Sequence, residues 1–456
     1  MRDGGRRFTL PASTSAMLIL VLGFAGLISV GTVLLSLPAA RTMDGAAPFI
    51  TALFTATSAA CVTGLVLVES GTYWTGFGQA VILVLMFMGG LGIMTAGTVL
   101  LVAVGRRLTL GDRLVLRESM GTSGLGGVTR LGRQIIFFAV GAQIIGFLVL
   151  LVHLQANSLE GALWQALFLS ISAFNNAGFS ILPDSGSLIG YQTDMVVIGV
   201  VSALIVFGSV SLPLLLDLWR HRRVSRWTLD TRLVLLGMAG LWVLGGAVML
   251  IFERTNPGTL GPLGVGDQIA NALFQSLTSR TAGFSTIDFS LTRPATNVVF
   301  MLLMFVGGAS GSTAGGIKIN TLMVLVVAGY ASVRGRPRVE AFRRELPFSQ
   351  VARALAIVLL AIAVLLGVVL GLAVTEAHKL EVGDFEFLDL LFEAVSALGT
   401  TGLSRGITAE LTDPGHVILV IGMYLGRLGP LTIALGLALR EGRAVYRYAE
   451  ERVRIG

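Results

Sequence analysis

The chain is poor in the residue types that most soluble functions need. Its 456 residues include one cysteine, Cys61, which excludes an intramolecular disulfide. The four histidines, His153, His221, His378 and His416, are scattered without metal-ligand spacing, so no transition-metal site is expected. Only 13% of residues are charged, against about a quarter in soluble domains, which excludes an ordinary water-soluble domain. No GxGxxG fingerprint follows a strand-like segment, so no nucleotide-binding domain is expected here. No cluster of His, Asp, Glu or Cys gathers at either end of the apolar runs, which argues against a membrane enzyme.

Long apolar runs fill the space these absences leave. Hydrophobic residues make up 54% of the chain. Runs at 15–38, 79–103, 133–152, 194–216, 231–252, 354–375 and 416–438 reach the roughly 20 residues a membrane span needs. The first has no convincing cleavage site and reads as a retained span. The net charge of +7 does not point to nucleic acid, because of where the charges lie. Of 33 Lys and Arg residues, 25 fall in 2–7, 106–133, 220–232, 334–353 and 440–454. The alternate loops hold five: Arg41, Arg254, Arg293, Lys379 and Arg405. This asymmetry puts the basic loops and both termini in the cytoplasm of a multi-pass inner (plasma) membrane protein. Arg280, Lys318 and Arg427 remain inside membrane-like sequence.

Basic and neutral loops alternate so as to divide the chain into four hairpins, and the segment joining each pair of runs recurs. It reads ALFTATSAACVTGL (52–65), ALFLSISAFNNAGF (166–179), ALFQSLTSRTAGF (272–284) and LLFEAVSALGTTGL (390–403). Each carries Leu-Phe near its start, then small or hydroxyl residues, then a glycine followed by Leu or Phe. The glycines, Gly64, Gly178, Gly283 and Gly402, lie 114, 105 and 119 residues apart. Each segment is too short to cross a ~30 Å hydrocarbon core, so it enters and turns back. The fold expected is an all-α integral membrane protein of four parallel M1–pore-helix–M2 repeats. Eight transmembrane helices and four re-entrant half-helices would surround one central pore with pseudo-four-fold symmetry. The repeats fall at 1–104, 105–219, 220–333 and 334–456.

Backbone carbonyls can replace the hydration shell of a cation, and glycine permits the φ/ψ that aims them at a shared axis. The oxygens would come from Val62-Thr63-Gly64, Asn176-Ala177-Gly178, Thr281-Ala282-Gly283 and Thr400-Thr401-Gly402. The C-terminal ends of the half-helices favour positive charge there. Ser58, Asn175, Asn176, Thr278 and Ser396 are expected to brace the turns. Arg280 and Glu393 are read as structural, with the Arg280 guanidinium bonding filter backbone.

Below each such turn the second helix carries a small residue: Gly90, Gly208, Gly308 and Gly426, at 26, 30, 25 and 24 residues past the filter glycine. In the third repeat the interruption is long. GGASGSTAGGIK (307–318) stands between MLLMFV and INTLMVLVV, and five glycines in twelve residues cost a helix about 1 kcal/mol each relative to alanine. The spacing of GSTAGGIK differs from a phosphate-binding loop, and no strand precedes it. The segment is predicted to form an intramembrane loop that obstructs the pore and moves when it opens, with Gly307, Gly308, Ser310, Gly311, Ser312, Thr313, Gly315, Gly316 and Lys318 as its working residues. Lys318 either assists from the loop's end or reaches back to the cytoplasmic interface. Arg427, alone in VIGMYLGRLGPLTIALGL, is expected to point into the cavity, bond the loop when closed and oppose cations electrostatically.

Four units with one filter glycine each, together with SRTAGF (279–284), GSTAGGIK (311–318) and GRLGPLT (426–432), resemble the Trk/Ktr/HKT superfamily of potassium transporters over almost the whole chain. One apolar span precedes the first filter, so the chain looks most like the membrane subunit of the Ktr branch. The resemblance implies potassium translocation without covalent chemistry, with sodium as a possible activator and a gating loop in the third repeat. It also implies a homodimer seated on a cytosolic ring of nucleotide-binding regulatory subunits. In plant relatives serine at the first glycine accompanies sodium permeability, so Gly64 favours potassium. The basic loops and the tail 441–456 suit anionic lipid head groups as well as a partner. The rival reading is an ion-coupled secondary transporter of another monovalent cation or small solute. It needs carboxylates within the spans, and few lie there.

Overall fold

The computed structural model describes residues 12–91, 128–183 and 186–439. The basic clusters 2–7 and 440–454, most of 106–133, the tail 441–456 and the second half of the run 79–103 lie outside the described residues. Apart from a two-stranded turn pairing Glu340–Ala341 with Arg344–Glu345, the described elements are helical.

The first unit contains α1 (Ala12–Leu35), the short α2 (Phe49–Ala60) and α3 (Gly76–Leu91). The second contains α4 (Val128–Ala156), the short α5 (Ala162–Asn175), α6 (Met195–Ser209) and α7 (Leu212–Arg220). In the third, α8 (Leu229–Glu253) and the short α9 (Val265–Thr278) precede α10 (Pro294–Met304) and α11 (Ile319–Val333). The fourth has α12 (Phe348–Thr375), the short α13 (Phe387–Gly399) and α14 (Asp413–Leu439). Long apolar stretches set the long helices. Gly132–Ala156, Leu229–Glu253 and Phe348–Thr375 are each long and apolar enough to cross a bilayer. Only 22% of the apolar window of the first and last is buried. The remaining surface is the kind that faces lipid, since apolar side chains there need no protein cover.

The short helices α2, α5, α9 and α13 have 12, 14, 14 and 13 residues. At ~1.5 Å per residue they end after ~18–21 Å, inside a ~30 Å core. Their starts carry local signals. Pro48 precedes α2, and Glu386 and Asp389 form a reciprocal capping box on α13. At their far ends the chain turns through a residue with positive φ at one shared position: Val62, Asn176, Thr281 and Thr400, at 56°, 58°, 68° and 49°.

The units pack in a closed cycle. The second helix of each unit lies against the short helix of the next: α3 on α5, α6 on α9, α10 on α13, and α14 on α2. The last contact joins the chain's two ends around the axis, and one apolar core runs from Ile28, Phe54 and Met86 to Val368, Leu419 and Met423 across that seam.

Among the described residues, two second helices are broken. The long loop between α10 and α11 was expected. The break in the second unit was not: the run 194–216 reads as one span, yet α6 stops at Ser209 and α7 resumes at Leu212, 95° away. Val210 and Ser211 are extended, and Pro213 sits in the first turn of α7. Proline opens a helix well and continues one poorly, because it lacks the N–H and its ring strikes the preceding turn. Hydropathy alone does not register that.

Candidate functional site

The four turns after the short helices meet at the centre. A Cβ built on Gly64 would lie 2.6 Å from the Ala177 carbonyl oxygen and 3.1 Å from the Gly178 Cα. One on Gly178 would lie 3.0 Å from the Gly283 Cα, one on Gly283 3.2 Å from the Gly402 Cα, and one on Gly402 3.0 Å from the Gly64 Cα. The contacts run around the axis and close. The glycines have φ of 93°, 73°, 76° and 93°. Here glycine is required twice over, by backbone conformation and by the approach of the next repeat.

The amides of these turns point back into their own repeats. Thr63 N donates to Ser58 O at 2.8 Å, Ala177 N to Ser172 O at 2.8 Å, Ala282 N to Thr278 O at 2.9 Å and Thr401 N to Ser396 O at 2.9 Å. Gly64 N and Gly402 N donate to Ser58 Oγ and Ser396 Oγ, both at 3.1 Å. With the donors turned away, the carbonyls of Val62, Thr63, Gly64, Asn176, Ala177, Gly178, Thr281, Ala282, Gly283, Thr400, Thr401 and Gly402 accept no hydrogen bond from the described residues. Buried backbone acceptors are nearly always paired. Of the carbonyls just named, Thr63 O, Ala177 O, Ala282 O and Thr401 O lie against the glycine of the adjoining repeat, and unpaired carbonyls of this kind can replace a cation's hydration shell. The side-chain oxygens Thr63 Oγ1, Asn176 Oδ1, Thr281 Oγ1 and Thr400 Oγ1 are also buried without a hydrogen-bond partner among the described residues. On one side of the ring a cavity of about 450 Å³ is lined by all four glycines, with Glu69 and Asp288 on its wall.

On the other side lies the loop 307–318. A Cβ on Gly315 would meet Thr400 Oγ1 at 1.8 Å, and one on Gly307 would approach Thr281 Cγ2 at 3.3 Å. The loop therefore presses against the turns of the third and fourth repeats. Gly307 N bonds Ile317 O at 2.8 Å, drawing the loop's two ends together, and Gly311 and Gly316 take φ of 88° and 60°. Ser310 N donates to Asn320 Oδ1 at 2.8 Å, Gly308 O accepts from Ile319 N, and Ser312 is buried. Arg427, 9% exposed, donates through Nη1 to Thr313 O at 2.6 Å and through Nη2 to Gly89 O at 2.7 Å. The ammonium of Lys318 turns back to the Ala314 carbonyl rather than to an interface.

Several bracing assignments change. Ser58 and Ser396 bond the amides of Gly64 and Gly402, but Asn175 Nδ2 bonds Ile171 O within its own helix, and Thr278 Oγ1 has no partner among the described residues. Asn176 Nδ2 reaches Ser209 Oγ at 2.9 Å. Arg280 Nε and Nη1 are buried without a bond to filter backbone. Glu393 is bonded by Ser404 Oγ, Thr408 Oγ1 at 2.8 Å and Arg405 N at 3.2 Å. Arg405 itself pairs with Asp389 at 2.8 Å. The small residue under the first turn is Gly89 rather than Gly90. A Cβ on Gly89 would strike Ala60 O at 2.0 Å, as one on Gly208 would strike Phe174 O at 1.9 Å and one on Gly426 would strike Leu398 O at 2.0 Å. Gly90 faces Asn175 of the next repeat. Sequence reading also missed Ser172, whose Oγ bonds Phe179 O at 2.7 Å. Its serine, at a position matching Ser58 and Ser396, was the available signal. Among the described residues no group of three or more His, Cys, Asp or Glu gathers as a metal site.

An all-α integral membrane fold with several transmembrane helices and four re-entrant helices around one axis belongs to the class of membrane transport proteins. Residues 14–445 match the family described as TrkH, cation transport protein, and the chain belongs to that family. It is 37% identical over 436 residues to Ktr system potassium uptake protein B of Bacillus subtilis (strain 168), covering 95% of this chain and 94% of that protein. It is 36% identical over 445 residues to potassium/sodium uptake protein NtpJ of Enterococcus hirae, covering 97% of each. Among solved structures, the potassium transporter TrkH from Vibrio parahaemolyticus matches with a TM-score of 0.70 at 18% identity, over 96% of this chain and 87% of that one, and shares the fold.

Proposed function

We propose that this protein carries potassium into the cell through the ring formed by the turns at Gly64, Gly178, Gly283 and Gly402. The observation that carries the reading is the closed cycle of four glycines whose flanking carbonyls have no donor among the described residues. A potassium ion leaving water exchanges its hydration shell for those oxygens. Relatives named for potassium uptake and for potassium/sodium uptake support the choice of ion, with sodium as a second permeant or activating ion. A negative interior favours entry by ~2.3 kcal/mol per 100 mV, so flux runs inward down the electrochemical gradient. Glu393, buried in the last short helix, is held in place by three donors, from Ser404, Thr408 and the Arg405 amide.

In the same reading, residues 307–318 are the gate. Gly307, Gly308, Ser310, Gly311, Ser312, Thr313, Gly315, Gly316 and Lys318 close the path beneath the ring, and Arg427 holds the loop there while presenting a positive charge to arriving cations. The four repeats are divided at 104, 219 and 333. The protein acts as a homodimer in the inner (plasma) membrane on a cytosolic nucleotide-binding ring, which the resemblance to Ktr systems implies. Its basic loops meet that ring or anionic lipid. Rubidium uptake into proteoliposomes with and without sodium tests the reading. Saturable uptake that depends on the filter glycines is expected, and flux that requires a proton gradient would replace the pore by a coupled carrier.

A further inference from the structure

The loop 307–318 is docked on the broken end of a helix from another repeat. α6 ends at Ser209, after which Val210 (φ −96°, ψ 139°) and Ser211 (φ −79°, ψ 145°) are extended. In an unbroken helix the Gly208 carbonyl would receive the amide of residue 212, and the Ser209 carbonyl that of residue 213. Residue 213 is proline and has no amide hydrogen. The bend carries Leu212 away as well, so the Gly208 and Ser209 carbonyls must both find donors elsewhere.

The loop provides them. Ala309 N donates to Ser209 O at 3.0 Å and Thr313 N to Gly208 O at 3.1 Å. Thr313 Oγ1 donates to the same Gly208 carbonyl at 2.9 Å. The residue that bonds Gly208 through its amide and hydroxyl bonds Arg427 through its carbonyl. Thr313 is thus gripped from the second and fourth repeats at once. A water-sized cavity of about 30 Å³ beside the joint is bordered by Val210, Leu212 and Gly311.

We propose that Pro213 is a positioning residue for the gate: by breaking α6 it presents the Gly208 and Ser209 carbonyls as the latch on which the closed loop rests. The inference builds on the gate reading above. A carbonyl bonded to the loop is not bonded within a continuous helix, so the two arrangements compete. In the wild type only the Leu212 amide could reclaim a carbonyl, that of Gly208, since Pro213 has none to return to Ser209 O; straightening is therefore disfavoured, and the second repeat sets how firmly the third repeat's loop is held. Alanine at 213 would restore the missing donor and shift the balance toward the straight helix.

The test uses the full chain in proteoliposomes, with rubidium flux and hydrogen exchange of the peptide spanning 309–313 read side by side. Pro213→Ala is expected to raise basal flux several-fold and to speed exchange at Ala309 and Thr313. The half-saturating rubidium concentration and the rubidium-over-sodium preference should stay at wild-type values, because the ring is untouched; a merely structural defect would lower flux or alter all of these. Thr313→Val, which keeps the amide and loses the hydroxyl, is expected to move both readouts the same way by a smaller factor, and serves if Pro213→Ala accumulates poorly. Wild-type exchange and wild-type flux in these variants, with a leaky 310–314 deletion, overturns the latch and leaves the gate standing. Faster exchange with no rise in flux overturns the positioning role, and if the deletion is equally silent the failure belongs to the gate reading.

Discussion

The guanidinium of Arg427 lies 2.6 Å from the carbonyl oxygen of Thr313, joining residues 114 apart in the chain. Its other terminal nitrogen bonds Gly89 O at 2.7 Å. One side chain of the fourth repeat therefore spans the axis from the first repeat's second helix to the third repeat's loop. Hydrogen bonds from a charged donor contribute about 1.5–3 kcal/mol each in proteins.

Arg427→Ala should therefore release the loop. Losing about 3 kcal/mol of closed-state stabilisation changes a two-state balance by about a hundredfold, so the expected result is a large rise in basal rubidium flux in proteoliposomes. Flux at the wild-type level would reduce Arg427 to a fastener between helices.

Deleting 310–314 should also raise basal flux, through the removal of the obstruction itself. The deletion takes Thr313 from Arg427 and from Gly208 together. A protein that folds, by its elution on size exclusion, and conducts no faster than wild type would exclude this segment as the gate.

Serine at Gly283 or Gly64 should degrade ion preference more than it degrades folding. The new Cβ would lie 2.4 Å from Thr401 O in the first case and 2.6 Å from Ala177 O in the second, so the neighbouring carbonyls must move. A loss of ~1.4 kcal/mol in differential stabilisation would cut potassium-over-sodium preference about tenfold. Competition of sodium with rubidium uptake measures it, and an unaltered ratio would remove these turns from the filter.

Glu393→Gln should act on stability. Three donors converge on this fully buried carboxylate, from Ser404, Thr408 and the Arg405 amide. An amide in its place accepts at one atom only, leaving a buried donor misdirected at a cost of about 1–3 kcal/mol. The melting temperature in detergent should fall, with ion preference kept in the protein that remains folded.

Much of the fold could be read from pattern. The four short helices, the shared glycine and the interruption at 307–318 are local features of composition, and four-fold recurrence separates them from chance glycines. The positions of Ser58 and Ser396 were legible for the same reason. The break at Ser209 was not. Residues 194–216 are apolar throughout, and a hydropathy window is blind to one missing N–H at Pro213. Spacing along a helix also does not say which of two adjacent glycines, Gly89 or Gly90, faces the neighbouring carbonyl.

Membrane residence and the number of re-entrant turns followed from the linear order of residues, since hydropathy and repetition are properties summed along the chain. Which turn touches which, that Arg427 reaches Thr313 and Gly89, and that the third repeat's loop rests on the second repeat's broken helix, followed from the cyclic closure of four units. Those contacts join residues about a hundred or more positions apart, and each depends on where two backbones happen to meet in space. No local preference of either segment encodes that.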